Sequence, residues 1–458
     1  MPETRVAPNQ TLMPVTAERD AAGRLRVGGC DLADLAATYG TPLYVMDEAT
    51  VRAACKAYVQ ALAKHYPPGG RVLYASKAHC TMAMMALVAS EGLGFDVVSA
   101  GELHTALKAG VAAERLVMQG NNKPREELKL GLTSGVGRIN VDNLDELALV
   151  CALAEELRAE PRILLRVAPG IEAHTHDFIR TGQEDSKFGF DLKSGQLDEA
   201  MALLAEHPRV QWLGLQAHIG SQIFEANAFS QTADVMVGLL AELRARHGVV
   251  AAELDLGGGL GMMYTATDDP PAIEAAVEAT ARAVLAACER HGYPTPKLVL
   301  EPGRSICGTA GVTLYAVGGR KVVPGVRTYL AVDGGMADNP RPITYGAEYT
   351  AALAERVTSG APEVYTLAGR YCESGDILIK DVVLPSPQVG ETVVVFGTGA
   401  YNHAMASNYN RCGRPAMVLV GEGKAELVVA RESLDDMVRL DRLPERLRKA
   451  AREGLPCP

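Results

Sequence analysis

From residue 49 to about residue 300, short apolar runs alternate with longer segments of helical period, with few breaks. Runs of strand length fall at 72–76, 95–99, 116–119, 138–141, 163–167, 212–218, 254–256 and 297–300. Around and between them, apolar residues recur at three- and four-residue spacing over about 49–65, 81–91, 101–110, 124–134, 143–159, 195–206, 226–247 and 271–291. A strand covered on both faces reads as a continuous apolar run rather than an alternating one, because helices lie over a parallel sheet. Eight strands joined by helices or long crossovers over about 230 residues predict an α/β fold, a (β/α)8 barrel of TIM type. A doubly wound open sheet has the same alternation, since periodicity does not report closure.

After residue 303 the texture changes. Short apolar runs at 312–317, 321–323, 328–332, 363–368, 377–383, 391–396, 416–420 and 425–429 are separated by Gly, Pro and Asp turns. They predict a C-terminal β domain of sandwich or barrel type, closed by a charged helix over 438–452. Upstream, 13–27 contains an Ala22-Gly23 turn and fits a short hairpin. Residues 31–39 place Leu32, Leu35 and Ala36 on one helix face, which Gly40 ends, and 41–47 reads as a strand. The expected domains are a barrel over 41–303 and a β domain over 304–458, with 1–40 as an N-terminal segment.

Charge narrows the partners. The formal net charge is −10 and the pI is near 5.6, against nucleic acid or an anionic membrane as the main ligand. The nine cysteines are scattered and include no CxxC pair, which excludes a disulfide framework or a zinc cluster and fits a reducing cytoplasm. No apolar core of a signal peptide opens the chain, and no run reaches the roughly 18 apolar residues of a membrane span.

In a barrel, chemistry gathers where strands end. Those ends carry Lys77, Asp96, Asn140, Arg166, His218, Gly257-Gly258-Gly259 and Glu301. A lysine handed by a strand to a strand–helix junction is a natural holder of an aldehyde. GGGLG at 257–261 lacks the last glycine of a dinucleotide fingerprint, because Met262 or Tyr264 falls there. A phosphate nest and a plain tight turn both remain open. Glu301, in EPGR at 301–304, suits a ring nitrogen and Arg304 an anion; an ion pair at a surface turn has the same sequence. His218 fits either a planar ring or the core. Cys372 stands beside Glu373 between two strands, and Tyr401 sits in a glycine-rich loop. His174 and His176 form an HxH pair that, with His218 and Asp255, would suit a metal hydrolase, but that reading leaves Lys77 and EPGR idle.

Taken together, nine segments carry a resemblance. They are YASKA (74–78), FDVVSAGEL (95–103), HTHDFIRTGQEDSKFGF (174–190), HIGSQI (218–223), GGGLG, EPGR, NPRPITYGAEY (339–349), CESGD (372–376) and GAYNHAMASNYN (399–410). Over about 41–415 the chain resembles the diaminopimelate decarboxylases, of the alanine-racemase-like, fold type III pyridoxal-phosphate enzymes.

The resemblance implies a homodimer with shared sites, a pyridoxal 5'-phosphate cofactor, no metal, and 1–40 joining the β domain. It implies conversion of meso-diaminopimelate to L-lysine and CO2, the last step of lysine biosynthesis. A decarboxylase of ornithine, arginine or carboxynorspermidine is the alternative, and a cofactor-free binding homologue is opposed by the joint presence of Lys77, Glu301 and Cys372. Lys77 corresponds to the lysine that carries the cofactor aldehyde, His218 to the residue stacked on the pyridine ring, and Glu301 to the partner of its nitrogen. Asp96 joins the cofactor set. Ser221, Gly258, Gly259, Pro302, Gly303 and Arg304 correspond to the phosphate cradle, and Arg304, Arg341 and Tyr345 to substrate contacts. Cys372 and Glu373 correspond to a pair given by the partner subunit, and Tyr401 to a residue touching cofactor and substrate. Gln216 and Glu348 depart from the common family pattern and are not expected to carry chemistry.

Overall fold

The computed structural model describes residues 6–170, 186–356 and 362–452. The eight apolar runs form one closed parallel barrel of strands Gly70–Ala75, Gly94–Val97, Leu116–Met118, Arg138–Val141, Arg162–Arg166, Gln211–Gln216, Glu253–Asp255 and Lys297–Leu300. Closure is explicit in the pairing of Leu298 with Gly70 and of Leu300 with Val72, so the open-sheet alternative falls away. The helices start where the strands deliver the chain. Thr81, Ser99 and Asn143 each accept a hydrogen bond from the third amide of the helix that follows.

Side-chain parity sorts the strands into an outer and an inner set. Val72, Tyr74, Phe95, Val97, Ile163 and Leu165 face outward and join the helices in the main core. The inward residues are stacked in layers, as barrel interiors are. Leu73, Val117 and Val299 form an apolar middle layer of their own. Below it, Arg71, two residues before Leu73, closes the lower mouth together with Arg138 and Glu253 from two other strands. Arg138 donates two hydrogen bonds to Glu253, at 2.7 and 2.9 Å, and Arg71 donates one at 2.8 Å. Two residues later the inward positions are polar: Gln119 follows Val117 and Glu301 follows Val299, while Asp96, Asn140, Arg166, Gln216 and Asp255 occupy the other strand ends. This upper layer is the floor of the site.

The second domain is a mixed sheet. The 13-residue strand Gly311–Val323 unites the two expected runs at 312–317 and 321–323, with a register shift between Val317 and Gly319. Its first half pairs with Thr392–Phe396 and with Leu43–Asp47, and its second half with Arg327–Val332. The strand Leu43–Asp47 therefore lies in the second sheet, also paired with Ala416–Gly421, although it precedes the barrel in sequence. The barrel starts after it, where Asp47 caps the helix Glu48–His65. The N-terminal hairpin of Glu18–Arg19 and Leu25–Val27 packs Leu25 and Val27 against the second sheet. Asn9, further upstream, bonds instead to the carbonyls of Gly261 and Pro271 on the barrel. The charged helix expected over 438–452 is shorter, Glu445–Arg452, and starts directly after Pro444; a separate short helix, Leu434–Val438, precedes it.

Hydrogen bonds from Arg138 hold Glu253 below its ordinary pKa even though burial acts to raise it. A carboxyl whose folded pKa is depressed contributes stability above its unfolded pKa, and that contribution is lost as pH falls through the folded value. Glu253→Ala leaves Arg138 buried without its partner, and is expected to cost roughly 3–5 kcal/mol at neutral pH. The urea midpoint should fall at pH 7, and the gap from the parent should narrow below about pH 4.

Candidate active site

Above the polar layer lies a cleft of about 850 Å³. The strand Gly70–Ala75 runs into a single turn, Ser76–Ala78, which buries Ser76 and Ala78 and turns Lys77 into the cleft. Glu301 directly follows the neighbouring strand, Lys297–Leu300. Its Oε1 accepts from Gln119 Nε2 at 2.6 Å and its Oε2 from Gln216 Nε2 at 3.0 Å. Both carboxylate oxygens are thus fixed by neutral donors from two other strand ends.

Burial, with the charge of Glu301 next, pushes the carboxyls of Asp96 and Asp255 well above the usual carboxylate range. Burial also holds the His218 imidazole well below its ordinary value, reinforced by the charges of Lys77 and Arg166. His218 is therefore a flat, neutral ring on the cleft wall, its Nδ1 accepting from the Gly258 amide at 3.4 Å.

The glycine run is demanded by close approach. A Cβ on Gly258 would lie 2.0 Å from the Glu301 carbonyl, and one on Gly259 would lie 2.4 Å from the Gly220 carbonyl. Gly257 and Gly259 also have φ of +67° and +114°. The run thereby draws the loops that follow three strands together. Gly259 and Gly303 line the cleft, whereas Gly258 and Pro302 lie behind its wall.

Arg304 is buried at the start of the short helix Arg304–Cys307. It donates to Ser221 Oγ at 2.9 Å and to Tyr264 Oη at 2.6 Å, and lies 4.7 Å from the Tyr401 ring centre. Tyr401 has φ of +62°, unusual for an aromatic residue, and is held there by the hydrogen bond its amide donates to the Ala78 carbonyl at 2.8 Å. The strained backbone ties this loop to the Lys77 turn. Arg341 donates to Tyr349 Oη at 2.7 Å and lies over the Tyr264 ring at 4.7 Å. Arg341 and Tyr345 bring the second domain to the cleft.

Lys77, Asp96, His218, Ser221, Gly259, Glu301, Gly303, Arg304, Arg341, Tyr345 and Tyr401 thus share one cleft. Cys372 and Glu373 do not line it; both are exposed on a separate loop. His174 and His176 lie outside the described residues. Gln119, Gln216 and Tyr264 were not among the expected site residues. Gln216, set aside as a departure without chemistry, is one of the two groups that fix Glu301. Counting inward parity from the middle layer finds Gln119, two places after Val117; Tyr264 has no such signal.

A family model described as "Pyridoxal-dependent decarboxylase, pyridoxal binding domain" matches residues 48–308. The chain is 49% identical to the diaminopimelate decarboxylase of Synechocystis sp. over 449 residues, covering 96% of this chain and 95% of the relative. It is 48% identical to that of Bacillus subtilis over 426 residues, 93% and 97% of the two chains. The crystal structure of the M. jannaschii diaminopimelate decarboxylase in co-complex with L-lysine matches with a TM-score of 0.88 at 33% identity, covering 96% of this chain and all of the other.

Proposed function

The chain belongs to the diaminopimelate decarboxylase family of pyridoxal-dependent carboxy-lyases, and we propose that it converts meso-diaminopimelate to L-lysine and CO2, in lysine biosynthesis, at sites completed by a second copy of the chain. The observation that carries this reading is the convergence of Lys77, His218, Glu301 and Arg304 on one cleft.

The residues present fit pyridoxal phosphate. Asp96 Oδ1, Gln119 Oε1 and Gln216 Oε1 are buried beside the cleft with no hydrogen-bond partner among the described residues, a polar floor suited to a polar ring. Lys77 would hold the aldehyde carbon, His218 would cover a ring face and Glu301 would meet the ring nitrogen. Ser221, Gly259, Gly303 and Arg304, which line the cleft, would hold the phosphate. When bound, the cofactor supplies an aldehyde that captures an amine and a ring that accepts the electron pair left as CO2 departs.

The chain's own groups do the rest. Glu301, fixed at both oxygens, presents its charge without reorganising during reaction. The neutral His218 adds no positive charge beside Lys77 and Arg166. The far end of diaminopimelate is itself an amino acid, needing a cation for its carboxylate and an anion for its ammonium. Among the cations that line the cleft, Arg304 and Arg341 suit that carboxylate, and Glu373 of a second copy is the anion. This pairing favours diaminopimelate over ornithine, whose far end needs only the acidic half. A proton must then replace CO2 at the substrate carbon, and the Cys372 thiol of the second copy is the donor. The exposure of Cys372 and Glu373 away from their own cleft supports such sharing.

The eight described cysteines are all unpaired, which suits a reducing cytoplasm, and no described helix is long and apolar enough to cross a membrane.

Borohydride treatment of protein saturated with pyridoxal phosphate is expected to discharge its yellow band and leave a pyridoxyl mass on the Lys77 peptide. Modification elsewhere, or none, contradicts the role of Lys77. Glu373→Ala is expected to raise KM for diaminopimelate by roughly tenfold or more, with cofactor affinity unchanged; a loss of bound cofactor would contradict the assignment.

A further inference from the structure

Two loops, one that lines the cleft and one exposed away from it, are clasped together by buried carboxylates. Asp338 is 1% exposed. Its Oδ1 accepts from the Gly335 amide at 2.9 Å and from Tyr371 Oη at 3.2 Å. Its Oδ2 accepts from Tyr315 Oη at 2.5 Å, and its main-chain carbonyl accepts from Tyr44 Oη at 2.5 Å. Tyr44 and Tyr315 are buried on the paired strands Leu43–Asp47 and Gly311–Val323, so Asp338 is bolted to the second sheet. Burial pushes its carboxyl up to about 7, against the donors of Tyr315, Gly335 and Tyr371.

Asp376 closes the clasp from the other side. Its carboxylate accepts from the Met336 amide at 2.6 Å and the Tyr371 amide at 2.8 Å, and the Arg370 amide bonds to the Gly334 carbonyl at 3.0 Å. The segments 334–341 and 369–376 are therefore tied to each other by several hydrogen bonds. Three residues after Asp338, Arg341 enters the cleft of its own chain. Directly after Tyr371 come Cys372 and Glu373, which face away from that cleft.

We propose that Asp338 is a positioning residue for two active sites at once: it sets Arg341 for its own chain's cleft and, through the Tyr371 hydroxyl, sets Cys372 and Glu373 for the cleft of a second copy. This rests on the shared-site reading given above. Asp338 touches no reacting atom; it acts by making one rigid unit of two loops, and a buried carboxylate can do so because every hydrogen bond lost to it is costly.

Hybrid dimers test this. A Lys77→Ala chain has a dead cleft and an intact loop, and a Cys372→Ala chain has the reverse. Carrying different tags and purified through both, the hybrid has one working site and should exceed the residual rate of either parent dimer. An inactive hybrid overturns the shared-site reading, and this proposal with it. In an active hybrid, Tyr371→Phe on the loop-donating chain is expected to lower kcat roughly tenfold, the size of one lost hydrogen bond to a buried charge. On the cleft-bearing chain it should change nothing. Asp338→Asn should lower kcat from the loop-donating chain and raise KM from the cleft-bearing chain. A Tyr371→Phe effect equal from both chains, or absent from both, overturns the coupling while leaving the shared site standing. Should Asp338→Asn not assemble, the Tyr371→Phe pair decides alone.

Discussion

The pair of amide hydrogen bonds that pin Glu301 is the interaction on which the site depends. Closing eight strands into a barrel forces the inward residue at each strand end into a small, nearly dry layer. Three carboxyls, Asp96, Asp255 and Glu301, meet there with Arg166. Placing three full negative charges side by side would be ruinous. The layer avoids this by pushing Asp96 and Asp255 toward their protonated forms and by giving Glu301 two neutral donors. A carboxylate held in this way can face a ring nitrogen without having to move. The lower mouth solves the same problem differently, pairing Glu253 with two arginines.

The two domains line different parts of the cleft. Barrel strand ends supply the groups suited to an aldehyde, a ring and a phosphate. The second domain supplies Arg341, Tyr345 and Tyr401, which face the remaining half of the cleft. Its sheet is anchored by Leu43–Asp47, a strand that leads straight into the first barrel helix, so the domains are joined through a paired strand rather than a loose linker.

The barrel was legible because strands buried on both faces read as continuous apolar runs; Lys77, His218 and Glu301 stood out only as candidates at the ends of such runs, and their roles came from the resemblance. Other features needed information that is not local. Leu43–Asp47 is buried along its whole length, so its pattern says strand without saying which sheet. The short strand Ala351–Leu353 has no alternation to detect. Gln119 and Gln216 acquire their role only once closure sets parity across the barrel. The Asp338–Tyr371 bond joins positions 33 residues apart, between loops with no shared pattern. Conversely, the expectation that Cys372 serves another copy comes from the resemblance alone, since composition and spacing have no means to convey it.

The most direct test of the account is a substrate comparison on the holoenzyme. Meso-diaminopimelate, ornithine and arginine would be supplied in parallel, and amine product and CO2 followed together. The account predicts lysine and CO2 in equal amounts from diaminopimelate, with turnover of the other two lower by orders of magnitude. Faster release of CO2 from ornithine or arginine, or none from diaminopimelate, would contradict it.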